Sequence, residues 1–174
     1  MKNITIFGSS KQNLDKSFYE QTEILITNID KNKYSLVYGG GNLGLMGYVR
    51  KFSGKVISSN LYKFILNDSD YPKDDYLYEN IEERQRKMME LGDIYLVLPG
   101  GYGTHYEALE VITKNDIGET NKPIFIFNVN NVYDKLIDHI NDLIKSGFIT
   151  RDLNMLKVYV ISNPIELSNI INNF

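Results

Sequence analysis

Short apolar runs alternate along this chain with stretches of helical spacing. Ile4 to Phe7, Leu36-Val37-Tyr38, Lys55 to Ser58, Ile94 to Leu98, Ile124 to Phe127 and Val158-Tyr159-Val160 read as six strands. Leu14, Phe18, Leu25 and Ile29 are spaced by four, seven and four residues, which predicts an amphipathic helix between the first two strands. Leu43 to Phe52 predicts a short helix, Glu79 to Leu91 a charged one with Met88 and Leu91 inward, and Thr104 to Ile117 another. Val132, Leu136, Ile137, Ile140 and Ile144 make a further stripe, with Gly147 as its cap, and Pro164 opens a last helix. Strands alternating with helices imply an α/β fold: a Rossmann-like, doubly wound parallel sheet with helices on both faces, in one domain over residues 1–174. The irregular stretch from Asn60 to Tyr78, with Asn67-Asp68-Ser69-Asp70 and Pro72-Lys73-Asp74-Asp75, reads as a surface loop.

Three predicted strands end in small-residue turns: Gly8-Ser9-Ser10, Gly39-Gly40-Gly41 and Gly100-Gly101-Tyr102-Gly103. In an open parallel sheet all three lie on the edge where ligands bind. A single glycine after a strand is usually only a turn, but three in register are harder to dismiss. In the third, strand, glycine loop and helix N-terminus make an anion cradle of free N–H groups and helix dipole. Glu107 stands one turn into that helix. Thr104 to Glu107 also has the Thr-x-x-Glu spacing of a capping box. If Glu107 sits at the third helical position, the helix start favours its ionised form, a better base or cation stabiliser than a proton donor.

The first turn lacks Gly-x-Gly-x-x-Gly. The second, Gly39 to Gly44, resembles it loosely, but Val56-Ile57-Ser58-Ser59 offers no acid for a ribose hydroxyl, and there is no Walker lysine. NAD and ATP are therefore poor candidates. Without cysteine, disulfides, zinc–thiolate sites and thiol nucleophiles are excluded. Two histidines, His105 and His139, are too few and too far apart to suggest a metal site. A net charge of −3 argues against a nucleic-acid partner. No apolar run is long enough for a membrane span, and the chain enters its first strand without a signal-peptide pattern, so the cytoplasm is the expected compartment. Arg84, in Glu82-Glu83-Arg84-Gln85-Arg86-Lys87, belongs on a solvated charged face unless something recruits it.

Pro99 to Glu107, as Pro-Gly-Gly-x-Gly-Thr-x-x-Glu, resembles the signature of the LOG ("lonely guy") family. So do Leu36 to Gly47, with its three glycines and Gly44-Leu45-Met46-Gly47, and Gly8-Ser9-Ser10. The family comprises cytokinin riboside 5'-monophosphate phosphoribohydrolases and related nucleotide 5'-monophosphate nucleosidases, long called lysine decarboxylases. The resemblance implies hydrolysis of the N-glycosidic bond of a nucleoside 5'-monophosphate to free base and ribose 5-phosphate, with no metal or redox cofactor, by a homodimer with its site near the interface. It assigns catalysis to Arg84 and Glu107, and substrate contacts to Gly100, Gly101, Tyr102, Gly103, Thr104 and Thr113, with Gly8, Ser9, Gly39, Gly40 and Gly41 around them. Gln85 stands where the family usually has lysine, so it and Glu110 are further candidates. The segment between Gly47 and Arg84, which helps line the base pocket in the family, is shorter than usual. These departures motivate an alternative, a nucleotide-binding or sensing module of the same fold with altered catalysis.

Overall fold

The computed structural model describes residues 1–65 and 74–174. Seven strands form one parallel sheet: β1 (Lys2–Phe7), β2 (Tyr34–Tyr38), β3 (Val56–Leu61), β4 (Tyr76–Tyr78), β5 (Ile94–Val97), β6 (Ile124–Phe127) and β7 (Val158–Ile161). Their order across the sheet is β4-β3-β2-β1-β5-β6-β7, every pairing parallel. The chain runs outward from β1 to β4, returns, and runs outward again from β5. The direction of winding therefore reverses between β1 and β5, and a crevice opens there above the strand ends.

Helices cover both faces. They are α1 (Lys16–Thr27), α2 (Met46–Arg50), α3 (Tyr62–Ile65), α4 (Ile81–Leu91), α5 (Tyr102–Asp116), α6 (Asp134–Lys145) and α7 (Pro164–Asn172). Alternate strand residues serve opposite layers. Ile4, Ile6, Leu36 and Phe125 pack with Leu25 and Ile26 of α1, Val49 of α2, and Leu167 and Ile171 of α7. Phe7, Val37, Tyr95 and Val97 pack with Met88 and Met89 of α4 and Ala108 and Val111 of α5. Burial of each such side chain contributes about 1.5–3 kcal/mol.

The α/β sandwich agrees with the hydrophobic pattern, but the stretch from Asn60 to Tyr78 is more regular than a loop. β3 continues through Leu61, α3 follows, and Tyr76–Tyr78 adds a seventh strand at the sheet edge. Asp75 accepts from both the backbone N–H and the hydroxyl of Ser58, which draws this segment onto the sheet. Three residues are too short for a periodicity to reveal. The remainder of that predicted loop, 66–73, lies outside the described residues. Gly147 (φ +77°) follows the cap residue Ser146 rather than being the cap itself.

Candidate active site

The turns after β1 and β2 interlock at the switch point. Ser9 is nearly buried; its carbonyl accepts from the Leu45 N–H (2.9 Å), and its own N–H donates to Pro99 (3.0 Å). One residue thus joins all three glycine turns. Gly40 and Gly41 have φ of +78° and +85°, in the left-handed region that favours glycine. Tyr38 Oη donates to the Gly41 carbonyl (3.0 Å) and accepts from Arg50 Nη1 (2.9 Å), fixing the second turn from below.

Beside these turns lies a cavity of about 360 Å³, lined by Gly8, Ser10, Gly39 to Leu43, Arg84 and Glu107, with Met46, Met88 and Phe64 among its apolar walls. Arg84 is not on a solvated face: its side chain is 13% exposed. Backbone carbonyls of the sheet explain this. Nε donates to the carbonyl of Ser59 within β3 (2.9 Å), and Nη2 to that of Gly39 just after β2 (3.1 Å). A Cβ on Gly39 would stand 1.8 Å from Nη2, so only glycine lets the guanidinium lie there. With two N–H groups tied to the sheet, Nη1 faces Glu107 Oε1 at 3.5 Å.

Two local expectations fail at α5. The helix starts at Tyr102 rather than Thr104, and its N-cap is Gly101, which offers no side-chain cap. Thr104 therefore occupies the third helical position, packed on Gly100, and no Thr104–Glu107 capping box forms. Glu107 sits a turn beyond the helix start, out of reach of its free N–H groups. Its carboxyl is not held ionised but is pushed up to about 7, by burial first and by Glu110 in addition, with Arg84 opposing. A carboxyl poised there exchanges protons near neutrality.

The predicted residues fall into four places. Gly8, Gly39, Gly40, Gly41, Arg84 and Glu107 share the cavity, with Ser9 behind them. Gly100 to Thr104 form the adjacent helix start, where a Cβ at Gly101 or Gly103 would meet nothing within 4 Å, and where Tyr102 is 98% exposed. Gln85 and Glu110 contact each other behind the cavity, Nε2 to Oε2 at 2.6 Å. Thr113 is exposed further along α5, its hydroxyl donating back to Leu109, away from this cavity. Sequence reading did not assign the walls to the site: Asn60 and Phe64 carry no motif, Asn42 lies in the Leu36–Gly47 motif without a role of its own, and Met88 reads only as an inward core residue. It also missed His105, whose Nδ1 contacts the Gly101 carbonyl (2.8 Å) and whose ring packs on Tyr133, while Tyr133 Oη donates to Leu98 (2.7 Å). Together they pin both ends of the cradle. His139 is exposed.

The family model described as possible lysine decarboxylase matches residues 50–171. Among curated relatives, the probable cytokinin riboside 5'-monophosphate phosphoribohydrolase LOG6 of Arabidopsis thaliana is 36% identical over 85% of this chain and 77% of its own length. LOG4 of the same plant is 30% identical over 92% and 76%, and rice LOG 30% over 94% and 69%. Solved structures share the fold at lower identity. The molybdenum cofactor binding protein of Rippkaea orientalis has a TM-score of 0.68 at 18% identity over 99% of this chain and 96% of that one. The molybdenum cofactor carrier protein of Chlamydomonas reinhardtii gives 0.66 at 14% over 99% and 98%. The matched span carries Arg84, the Pro99–Glu107 motif and the helix that presents Glu107, and this chain belongs to the possible lysine decarboxylase family, the family of the LOG phosphoribohydrolases.

Proposed function

We propose that this protein hydrolyses the N-glycosidic bond of a nucleoside 5'-monophosphate, AMP or an N6-substituted relative, to free base and ribose 5-phosphate. The observation that carries it is the buried Arg84–Glu107 pair in a cavity walled by glycine turns, beside an uncapped helix start. The free N–H groups of α5 suit a phosphate, which would anchor the sugar and orient it. The apolar walls Met46, Met88 and Phe64 suit a flat base.

Cleavage develops positive charge at the anomeric carbon. The bond electrons leave with the base nitrogen, and water adds to the carbon. Ionised Glu107 stabilises the cation and takes the water's proton, which then passes to the departing base nitrogen and leaves Glu107 ionised again. Arg84, fixed by two backbone carbonyls, aims Glu107 rather than roaming. No metal or redox group enters these steps, so a chelator should leave the rate unchanged. Among the described residues no lysine lines the cavity, so a lysine Schiff base has no support here.

A second copy would complete the assembly in the cytoplasm. Tyr102, Tyr106 and Leu109 form an exposed stripe on α5 that leads to Thr113. A homodimer sealed there would bring the partner's stripe close to the cavity mouth, and Tyr106→Glu would yield monomers in light scattering.

The test is chromatography of reactions with AMP, CMP, GMP, UMP and isopentenyladenosine monophosphate. Release of base and ribose 5-phosphate from at least one purine substrate is expected. Nucleotide binding with no product from any of them would replace the enzyme with a binding module.

A further inference from the structure

Behind the cavity, α4 and α5 meet along a second polar contact one step from the first. Arg84 and Gln85 are consecutive on α4, and Glu107 and Glu110 are one turn apart on α5. Arg84 faces Glu107, and Gln85 faces Glu110. Gln85 is only 2% exposed, and its Oε1 has no hydrogen-bond partner among the described residues. A buried, half-satisfied amide costs stability that a hydrophobic residue would not. Its contact with Glu110 is the polar function visible for it.

The charges around this seam do not balance. Two carboxylates meet one guanidinium, and Arg84 already serves Ser59 and Gly39. Lys114 is one turn beyond Glu110, but its Nζ pairs with Glu119 at 2.7 Å. Gln85 brings donors and no charge. Its amide can also turn over: in one orientation Nε2 donates to a Glu110 carboxylate, and reversed, Oε1 accepts from a protonated one.

We propose that Gln85 and Glu110 are positioning residues for Glu107: their contact locks α4 to α5 beside the Arg84–Glu107 pair and holds a carboxylate one turn from Glu107. The pair rests on the reading of Glu107 as the reacting carboxylate, yet it makes a claim about the free protein. Burial is the first cause that raises each carboxyl from its ordinary value; Glu110 adds to the rise at Glu107, while at Glu110 Lys114 opposes the rise and Glu119 adds to it, which agrees with the geometry. Arg84, Lys114 and Glu119 are the other charged groups facing the seam.

The experiment is a ¹³C NMR titration of the Glu107 side-chain carboxyl in the full chain, assigned with Glu107→Gln, alongside the pH profile of AMP hydrolysis. Glu110→Gln removes a negative charge, and Gln85→Lys supplies a positive one. Both should lower the Glu107 midpoint by about half a unit or more, and Gln85→Glu should raise it. The ascending limb of kcat/KM should move with it. Folded variants whose midpoint stays with the parent overturn the proposal, because a merely structural contact would change thermal stability and not the titration. If no nucleotide is hydrolysed, the enzyme reading fails while the NMR result still decides this one.

Discussion

The turn after β2 and the turn after β5 are both runs of glycine, and they are glycine for opposite reasons. At Gly39 and Gly40 the space is already taken: an added Cβ would meet Arg84 Nη2 at 1.8 Å and the Asn60 side chain at 2.8 Å, and Gly40 needs a positive φ as well. After β5, Thr104 fills the space at Gly100, but at Gly101 and Gly103 the space is empty, with nothing within 4 Å. The first turn is closed around the protein's own arginine. The second is open at a helix start whose N–H groups have no side-chain cap. Glycine in one place makes room for the arginine, and in the other leaves open the helix start proposed to take the phosphate.

Substitutions separate the two uses. The largest effect on turnover is expected for Gly39→Ala. The methyl displaces the tip of a flexible side chain, so the melting temperature should hold within a few degrees. The Arg84 anchor is lost, however, and kcat should fall by roughly 10²-fold or more in steady-state assays. Gly40→Ala should instead show mainly in stability. Positive φ and the Asn60 contact together should cost about 1–3 kcal/mol in urea unfolding. Gly101→Ala should do least to the fold. Its φ of −95° suits any residue, and its effect should appear as a rise of up to about tenfold in nucleotide KM with kcat near the parent value. Equal damage from Gly39→Ala and Gly101→Ala in both kcat and KM would erase the distinction between the turns.

A smaller, pH-dependent effect sharpens the same contrast. Folding raises the Glu107 carboxyl from 4.5 to about 7, so the folded state holds a proton that the unfolded state has lost across that window. Its contribution is therefore favourable below pH 4.5 and is lost as pH rises through 7, by at most about 3 kcal/mol. Glu107→Gln should gain in melting temperature relative to the parent between pH 5 and pH 8. A constant difference would mean that the carboxyl is not raised.

Much of this was legible from the chain. The apolar runs gave the central strands because parallel strands buried on both faces leave no polar alternation to blur them. The three glycine turns pointed to one sheet edge, and they meet there through Ser9. Less was legible where a residue's role depends on distant backbone. Arg84 sits in a run of charges and reads as surface, yet the carbonyls of Gly39 and Ser59, far away in sequence, draw it inward. The Thr104–Glu107 spacing suggested a capping box, but Gly101 can itself cap a helix, and α5 starts earlier, which moves Glu107 from an ionising environment to a desolvating one. β4 and the walls Asn60 and Phe64 escaped because a three-residue strand and single wall residues have no periodicity. Thr113, assigned through family resemblance, faces away from this chain's cavity.

In the proposed reaction a buried Glu107, aimed by Arg84, carries the hydrolysis. This role is tested most directly by comparing parent and Glu107→Ala for release of free base and ribose 5-phosphate from AMP and isopentenyladenosine monophosphate, with nucleotide binding measured on the same samples. Product from the parent, none from a folded Glu107→Ala, and binding retained by both is the predicted result. Turnover by Glu107→Ala at the parent's rate would contradict it.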